Sequence, residues 1–329
     1  MSLVALDIGS SRTKAVLARW DGAIVAVHDA PTPVDAVPGV RHGFPAAAVR
    51  DAALALLAGI APLAPADDPL DAIVLSSLGT AMAPLDASGE PVGLALSPAD
   101  PRPMAGPGLV VRTGIDAATL IERTGSDPRL ASTLLHWCWW RDTEPATFAR
   151  VARFRSLRGV VTHALCGADA EDPSWASRTM GMDLATDAWS DAILGAAGID
   201  PAILPAIEPS TATWPIDPVV ARRLGLPAGV RVVNGGMDNG CAFLGASEPP
   251  ERRLVNIAGT YEHMAGVGPL PVVRAAAAAC DGLVHRYVLP GEYLGYSRVP
   301  LGLFLAAIGA AAGDGGLGAL LAALPMTPR

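Results

Sequence analysis

Positive charge is the first thing that this sequence lacks. Only 17% of the residues are charged, the formal net charge is −8, and no Lys/Arg run is longer than the pairs Arg222-Arg223 and Arg252-Arg253. A nucleic acid or an anionic membrane is usually bound through a patch of Lys and Arg that neutralises its phosphates. The composition therefore argues against both kinds of partner.

Cysteine pairs and long apolar runs are missing as well. Four cysteines lie far apart and form no C-x-x-C pair, so neither a zinc site nor a disulfide framework is supported: Cys138, Cys166, Cys241 and Cys280. The N-terminus shows no secretory signal, and the longest uncharged stretch near the C-terminus, 299–313, is too short for a membrane span. We expect free, buried thiols in a soluble, cytoplasmic protein.

Aromatic residues are scarce at 5%, yet 51% of the 329 residues are hydrophobic. A chain of this length and apolar content is able to bury the cores of two domains. The only aromatic concentration is the run His136-Trp137-Cys138-Trp139-Trp140, in a predicted helix over 130–140. We interpret the tryptophans as packing residues, in preference to a sugar-stacking platform.

The N-terminal part of the sequence predicts strands and a helix in the order typical of a ribonuclease-H-like α/β domain. Apolar strands are expected at 4–7, 15–20 and 24–28, with Asp21-Gly22 as the turn between the last two. A helix at 45–59 and a strand at Leu70–Ser77 follow. Three meandering strands, a helix and a further strand form the opening of that fold.

Later segments alternate helices with one more strand. Helices are predicted at 147–157, at 191–197 after the N-cap Ser190, and at Pro218–Leu224. A strand at 230–234 runs into the turn Gly235-Gly236-Met237-Asp238-Asn239, and a helix is expected from there to about 245.

The first strand leads directly into a loop that suits phosphate. Asp7 ends the strand, Gly9 permits a close backbone turn, and hydroxyl groups and a lysine follow: Ser10, Ser11, Thr13 and Lys14. Asp7 is placed to hold hydrated Mg²⁺, which prefers carboxylate and phosphate oxygens. The alternative is an ordinary Gly-Ser turn next to an aspartate.

A second segment echoes this one. Residues 254–260, Leu-Val-Asn-Ile-Ala-Gly-Thr, follow the Pro-rich stretch 249–253 and resemble 3–10, Leu-Val-Ala-Leu-Asp-Ile-Gly-Ser. Such a weak repeat suggests duplicated domains that present two phosphate-binding hairpins to one cleft. We place the first domain at 1–246 and the second, apparently truncated, at 247–329.

Several further motifs occur in an order that resembles the FGGY carbohydrate kinases of the sugar kinase, Hsp70 and actin superfamily. They are the first hairpin, the turn Leu85-Asp86-Ala87-Ser88-Gly89, Asp100-Pro101-Arg102, Asp172-Pro173-Ser174-Trp175-Ala176-Ser177-Arg178-Thr179, the segment 224–238 and the second hairpin. The resemblance covers residues 3 to about 265. It implies two actin-like domains flanking a cleft.

The resemblance also implies a reaction, the transfer of a phosphoryl group from MgATP to a hydroxyl of a small sugar or polyol. Asp238 would be the general base, with capping of the following helix as the alternative role. Phosphate would be held by Gly9, Ser10, Ser11, Thr13 and Lys14 on one side and by Gly259 and Thr260 on the other, with Asp7 at Mg²⁺. Asp100, Arg102 and Asn239 are the candidate sugar contacts beside Asp238. For Asp100 and Arg102 a plain surface ion pair is the alternative.

The sequence departs from the family pattern at three points. Pro98 stands where a tryptophan is expected before Asp100. The segment Gly259-Thr260-Tyr261-Glu262 is closer to fuculokinase-like and rhamnulokinase-like members, which favours a ketose or deoxyketose, with a packing role as the alternative for Tyr261. The second domain is short and lacks the adenosine-binding segment. The alternative function is therefore a non-catalytic or truncated kinase-like protein that binds a sugar or a partner without phosphoryl transfer. Another ATPase of the superfamily is a third hypothesis, and a homodimer stays open.

Overall fold

The computed structural model describes residues 1–246, 254–257, 262–278 and 282–299. The strands in these residues are β1 (Ser2–Ile8), β2 (Arg12–Arg19), β3 (Ile24–Pro31), β4 (Asp35–Val37), β5 (Arg41–Phe44), β6 (Leu70–Ser77), β7 (Met82–Leu85), β8 (Ala95–Leu96), β9 (Arg153–Ser156), β10 (Ala170–Glu171), β11 (Met182–Asp183), β12 (Ala188–Trp189), β13 (Ala206–Ile207), β14 (Thr213–Pro215), β15 (Arg231–Met237), β16 (Leu254–Ile257), β17 (Glu262–Gly268), β18 (Leu283–Arg286) and β19 (Tyr293–Val299).

Helices alternate with these strands along the chain. The α-helices are α1 (Ala46–Ile60), α2 (Pro101–Met104), α3 (Leu109–Thr113), α4 (Ala117–Thr124), α5 (Thr133–Thr143), α6 (Pro145–Phe148), α7 (Leu157–Cys166), α8 (Pro173–Ala176), α9 (Asp191–Ala196), α10 (Pro218–Leu224), α11 (Asp238–Ala246) and α12 (Leu270–Ala278). Short 3₁₀ turns lie at Ala61–Leu63, Ser177–Thr179 and Pro201–Ile203.

A six-stranded sheet organises the N-terminal part, in the order β14-β15-β6-β1-β2-β3. Neighbours β1, β2 and β3 pair antiparallel, whereas β6 and β15 run parallel to β1. This meander followed by parallel crossovers confirms the predicted ribonuclease-H-like α/β fold. Because β1, β6 and β15 are parallel neighbours, their carboxyl ends lie along one edge of the sheet.

The sheet is held by a core that the sequence pattern already indicates. Alternate residues Val4, Leu6 and Ile8 of β1 are completely buried, as a strand with one covered face requires. Helix α1 covers this core with a buried stripe that includes Val49 and Leu57. The stretch Ala46–Leu63 is apolar and long enough to cross a membrane by composition, but its buried stripe fits the core helix of a soluble domain.

A second core surrounds helix α5. Trp137, Trp139 and Trp140 are 1%, 6% and 7% exposed, and the rings of Trp137 and Phe154 lie 5.7 Å apart between centroids. Buried aromatic rings of this kind contribute large apolar areas to packing. The interpretation of the tryptophans as packing residues is confirmed.

One predicted helix is wrong. The stretch 147–157 instead contains the end of α6, the strand β9 and the start of α7. Strand β9 pairs antiparallel with β7, and the Ala152 N–H donates to the Leu85 carbonyl at 2.8 Å. This pairing with a distant strand overrides the local helical pattern. The predicted strand 230–234 is also too short, because β15 continues to Met237.

The chain divides into two compact units. The first comprises Met1–Ala242 with His285–Gly291, and the second comprises Phe243–Val284 with Glu292–Arg329. The return of 285–291 to the first unit is not foreseen from the sequence. In the second unit, β16 pairs antiparallel with β17, as the predicted second hairpin requires. The predicted boundary at 249–253 lies outside the described residues.

Of the cysteines, Cys138 is buried and free, as expected. Cys166 and Cys241 are free but only partly buried, so the expectation of burial was wrong for these two. Cys280 lies outside the described residues.

Candidate active site

The loop between β1 and β2 closes tightly around Gly9. Its N–H donates to the Arg12 carbonyl at 3.1 Å, and a Cβ added at Gly9 would lie 2.8 Å from that oxygen. Such a contact is too short for a real side chain, so the loop requires glycine. Ser10 and Ser11 at its tip are exposed, and their hydroxyls are open to a ligand.

Asp7 lies at the carboxyl end of β1, opposite Lys14 on β2 and beside Ser76 on β6. Burial raises the pKa of Asp7 above its ordinary value, although the Ser76 hydroxyl and the Lys14 charge oppose this rise. Its Oδ1 is buried and has no hydrogen-bond partner among the described residues. A free, shielded carboxylate oxygen suits a hard cation such as Mg²⁺.

Mg²⁺ would find few other protein ligands near Asp7. The described part of the chain holds no group of three or more His, Cys, Asp or Glu side chains suited to a metal ion. Mg²⁺ commonly binds through one or two carboxylates, with water and substrate phosphate completing its shell. One carboxylate at Asp7 therefore fits a phosphate-bound Mg²⁺, and it does not fit an all-protein metal cage.

The Thr13 hydroxyl does not lie at the surface of the loop, where a direct phosphate ligand is expected. Its side chain is completely buried, and its Oγ1 lies 3.0 Å from Thr32 Oγ1, which itself donates to the Gly9 carbonyl at 2.8 Å. Thr13 thus braces the loop from inside through Thr32. Lys14, by contrast, is exposed at the start of β2.

Asp238 follows the end of β15, where the strand contains a register shift between Val233 and Gly236. Gly235 has φ +69°, and a Cβ there would lie 1.8 Å from the Leu75 carbonyl oxygen. Only glycine permits this close approach to β6. Irregularities of this kind often turn a side chain toward a site, and Asp238 comes directly after this one.

Electrostatics single out Asp238 among the described carboxylates. Burial raises its pKa to about 6, the Asn239 N–H at 2.7 Å from Oδ1 opposes the rise, and the Asp7 charge adds to it. The positive charge of Arg178 acts in the opposite direction. The side chain is enclosed by protein but still reaches solvent. Asp238 can therefore exchange a proton close to neutral pH.

The topology of the sheet explains why Asp7 and Asp238 influence each other. Asp7 lies near the end of β1 and Asp238 directly follows β15, and these are parallel strands on either side of β6. Ligands of open α/β sheets bind at the carboxyl ends of the strands. The structure thus brings together two residues that are 231 positions apart in the sequence.

Asp100 and Arg102 form a pair that is far more buried than a surface ion pair. Asp100 is 1% exposed and accepts hydrogen bonds from the Arg102 guanidinium at 2.7 and 2.9 Å and from the His42 N–H at 3.0 Å. Burial alone would raise the pKa of Asp100, but these hydrogen bonds outweigh it and hold the pKa below its ordinary value.

Arg102 is the more available member of this pair. Its side chain is 31% exposed, and its guanidinium carbon lies 4.6 Å from the centroid of the Trp139 ring. Stacking on the ring and pairing with Asp100 fix the plane of the guanidinium. The fixed Arg102 can still offer hydrogen bonds to a ligand, whereas the oxygens of Asp100 are already engaged.

Two polar side chains near this pair are not singled out by the sequence. The Thr80 hydroxyl and both ring nitrogens of His136 are buried, and none makes a well-formed hydrogen bond to a described residue. Burial lowers the pKa of His136 to about 4, with the Asp100 charge and the Thr80 backbone opposing it. Thr80 also has φ +71°, which is rare for a β-branched residue. Unsatisfied groups and strain of this kind cluster at ligand sites.

The remaining predicted contacts have less structural detail. Asn239 is half-buried at the start of α11, next to Asp238. Gly259 and Thr260, the predicted phosphate contacts of the second hairpin, lie outside the described residues, as does Tyr261.

Comparison with known proteins gives a consistent family. The FGGY family of carbohydrate kinases, N-terminal domain, matches residues 2–245. A xylulose kinase of Streptomyces rubiginosus is 30% identical over 258 residues, which cover 78% of this chain and 52% of that protein. An L-fuculokinase of Escherichia coli (strain K12) is 26% identical over 132 residues, or 40% of this chain and 28% of that protein.

Solved structures agree on the fold. The crystal structure of xylulose kinase from Rhodospirillum rubrum matches with a TM-score of 0.86 and 22% identity, and the match covers 99% of this chain and 67% of that one. The chain spans about half the length of the curated relatives it matches.

Proposed function

The chain belongs to the FGGY family of carbohydrate kinases, and from this premise we propose that it transfers a phosphoryl group from MgATP to a hydroxyl of a small sugar or polyol. The observation that carries the proposal is the pair Asp7 and Asp238 at the carboxyl ends of parallel strands, with the pKa of Asp238 raised to about 6. A ketose is the favoured substrate, since xylulose, the sugar in the name of a matching relative, is one.

In this proposal Asp238 is the general base. Above pH 6 its carboxylate is mostly ionised, and it accepts the proton of the sugar hydroxyl as that oxygen attacks the γ-phosphorus. A base with a pKa near neutrality combines the correct protonation state with a sufficient tendency to take the proton. Its hydrogen bond from the Asn239 N–H orients the carboxylate.

The hairpin formed by β1 and β2 is proposed to hold the phosphates. Ser10, Ser11 and Lys14 offer hydroxyls and a cation at its surface, while the buried Thr13 keeps the loop in shape. Asp7 would hold Mg²⁺, which when bound supplies positive charge to the transferring phosphoryl group. Gly259 and Thr260 are proposed as contacts from the second hairpin.

Sugar recognition is proposed for the polar groups around Arg102. Its guanidinium is pre-oriented by Asp100 and Trp139, and the Thr80 hydroxyl and His136 ring offer further donors and acceptors. A polyol needs such groups, because each hydroxyl both donates and accepts. Asn239 is a further proposed contact. The chain would discriminate between sugars by which hydroxyls satisfy these buried atoms.

The test is a coupled ADP-release assay on the whole chain, with MgATP and a panel of ketoses, aldoses and polyols. We expect sugar-dependent turnover that falls below pH 6 and is reduced to a small residual rate in Asp238→Asn. Asp191→Asn, which changes an exposed aspartate in the first turn of α9, is the matched control and should retain turnover. Background rates with every sugar in folded protein would refute the kinase, and sugar binding by calorimetry in that protein would favour a non-catalytic, sugar-binding role.

A further inference from the structure

Ser174 links a buried carboxylate to the strand that carries Asp238. Asp172 caps the N-terminus of α8, and its Oδ2 accepts hydrogen bonds from the Ser174 N–H at 2.9 Å and from the Ser174 hydroxyl at 2.5 Å. Asp172 is 0% exposed and Ser174 3%. A short hydrogen bond between a hydroxyl and a carboxylate, shielded from water, is a strong one. The carboxylate therefore fixes the direction of the Ser174 hydroxyl proton.

The same hydroxyl oxygen accepts a hydrogen bond from β15. The Met237 N–H lies 3.0 Å from Ser174 Oγ, and it can only donate. Because the hydroxyl proton is directed to Asp172, a lone pair remains for this N–H. Met237 directly precedes Asp238, so this hydrogen bond fixes the backbone immediately before the proposed base.

Asp172 is itself held on several sides. Its Oδ1 accepts from Arg158 Nη2 at 3.1 Å, and its Oδ2 accepts from the Ser210 hydroxyl at 2.9 Å. Arg158 is completely buried and also donates from Nη1 to the Asn234 side-chain oxygen at 2.9 Å. The buried network thus bonds β15 at Asn234, within its register shift, and at Met237, just after the shift.

We propose that Ser174 is a positioning residue for Asp238: its hydroxyl, oriented by Asp172, fixes the Met237 peptide and with it the position of the base. The inference rests on the proposed function of Asp238. Ser174 is not among the residues proposed to contact sugar, phosphate or Mg²⁺. It acts on Asp238 through the backbone of β15. Small displacements of a catalytic group are costly, about 100-fold in rate for about 1 Å.

The experiment compares Ser174→Ala with Ser177→Ala in the full chain. Ser177 is an equally buried serine of the same segment, whose hydroxyl bonds the Ser174 carbonyl and the Arg286 N–H but not β15. Three kinds of measurement are made: steady-state kinetics for kcat and the sugar KM, amide exchange of Met237 by NMR, and titration of the Asp238 carboxyl in ¹³C-labelled protein. The double variant Ser174→Ala/Asp238→Asn completes a double-mutant cycle, which measures the coupling between the two side chains.

We expect Ser174→Ala to lower kcat by about 10- to 100-fold with the sugar KM changed less than about 3-fold. Met237 exchange should accelerate, and the pKa of Asp238 should fall from about 6 toward its ordinary value as the side chain gains solvent. Ser177→Ala should change none of these. In the Asp238→Asn background the Ser174 substitution should have no further effect on the residual rate.

An unchanged kcat in Ser174→Ala would overturn the positioning role. So would a fold-loss of rate from Ser174→Ala that is as large in the Asp238→Asn background as in the unaltered chain. The exchange and titration measurements separate this inference from the proposed function. If the unaltered chain shows no turnover, the kinase proposal fails, and Ser174 is judged by the other two readouts. A Met237 exchange rate or an Asp238 pKa that does not respond to Ser174→Ala refutes the inference in either case.

Discussion

Replacing Asp238 by asparagine should stabilise the folded chain at neutral pH. Burial raises the pKa of this carboxyl from 3.8 to about 6, so its ionised form is disfavoured in the folded protein. A folded-state pKa above the unfolded value contributes stability that is fully present below pH 3.8 and is lost as the pH rises through 6. At 1.36 kcal/mol per pKa unit, the loss is about 3 kcal/mol by pH 7.5.

The asparagine side chain carries no charge and therefore escapes this penalty. We expect the free energy of unfolding of Asp238→Asn to be about 3 kcal/mol higher than that of the unaltered chain at pH 7.5. At pH 4 almost none of this difference should remain. For a domain of this size, that difference raises Tm by about 6 °C or more. The variant loses the proposed base while it gains stability, as expected where a site is built at the expense of the fold.

The assay is urea unfolding followed by circular dichroism at pH values from 4 to 8. Asp29→Asn is the control, because Asp29 is exposed and the Arg12 guanidinium beside it lowers the pKa of its carboxyl. That group titrates below the range measured, so its removal should leave the slope between pH 4 and 8 unchanged. An advantage of Asp238→Asn that is equal at all pH values, or absent, would show that burial does not raise the pKa of Asp238.

Two further substitutions test the geometry of the site. Gly235→Ala should destabilise the chain by about 3 kcal/mol or more, measured by urea unfolding, since its Cβ would lie 1.8 Å from the Leu75 carbonyl oxygen at positive φ; an effect below about 1 kcal/mol would contradict the described close approach. Arg102→Lys should weaken sugar binding about 10-fold in calorimetry, because an ammonium cannot both pair with Asp100 in two places and stack on Trp139. An unchanged affinity would remove Arg102 from the proposed sugar contacts.

Local patterns predicted the elements that depend on near neighbours. The strand Leu70–Ser77 and the helix Pro218–Leu224 occur within the predicted bounds, since a continuous apolar run and an Asp-Pro start are local signals. The error at 147–157 arose where a segment pairs with a distant strand. No local signal reveals that Arg153–Ser156 lies beside β7.

The candidate site shows the same division. A carboxylate at the end of the first strand, before a glycine turn and hydroxyl groups, was sufficient to nominate Asp7, whereas Asp238 and Arg102 were nominated by the resemblance to the FGGY carbohydrate kinases. Thr80 and His136 received no role from the sequence, since a positive φ at a threonine and the lack of a well-formed hydrogen bond at a histidine leave no trace in a sequence. Thr13 was expected at the phosphate, but its hydroxyl is turned into the loop toward Thr32.

The sequence by itself determined the alternation of strands and helices, the glycine-dependent turn after β1 and the family of this chain, because apolar periodicity and short motifs are written in neighbouring residues. Only the tertiary structure decided which carboxylates act on each other and how strongly each is buried. The raised pKa of Asp238 depends on its burial and on the charge of Asp7, which lies far from it in the chain and is brought near by the neighbouring strands. Desolvation is a property of the assembled fold, since it measures how much water the surrounding elements exclude.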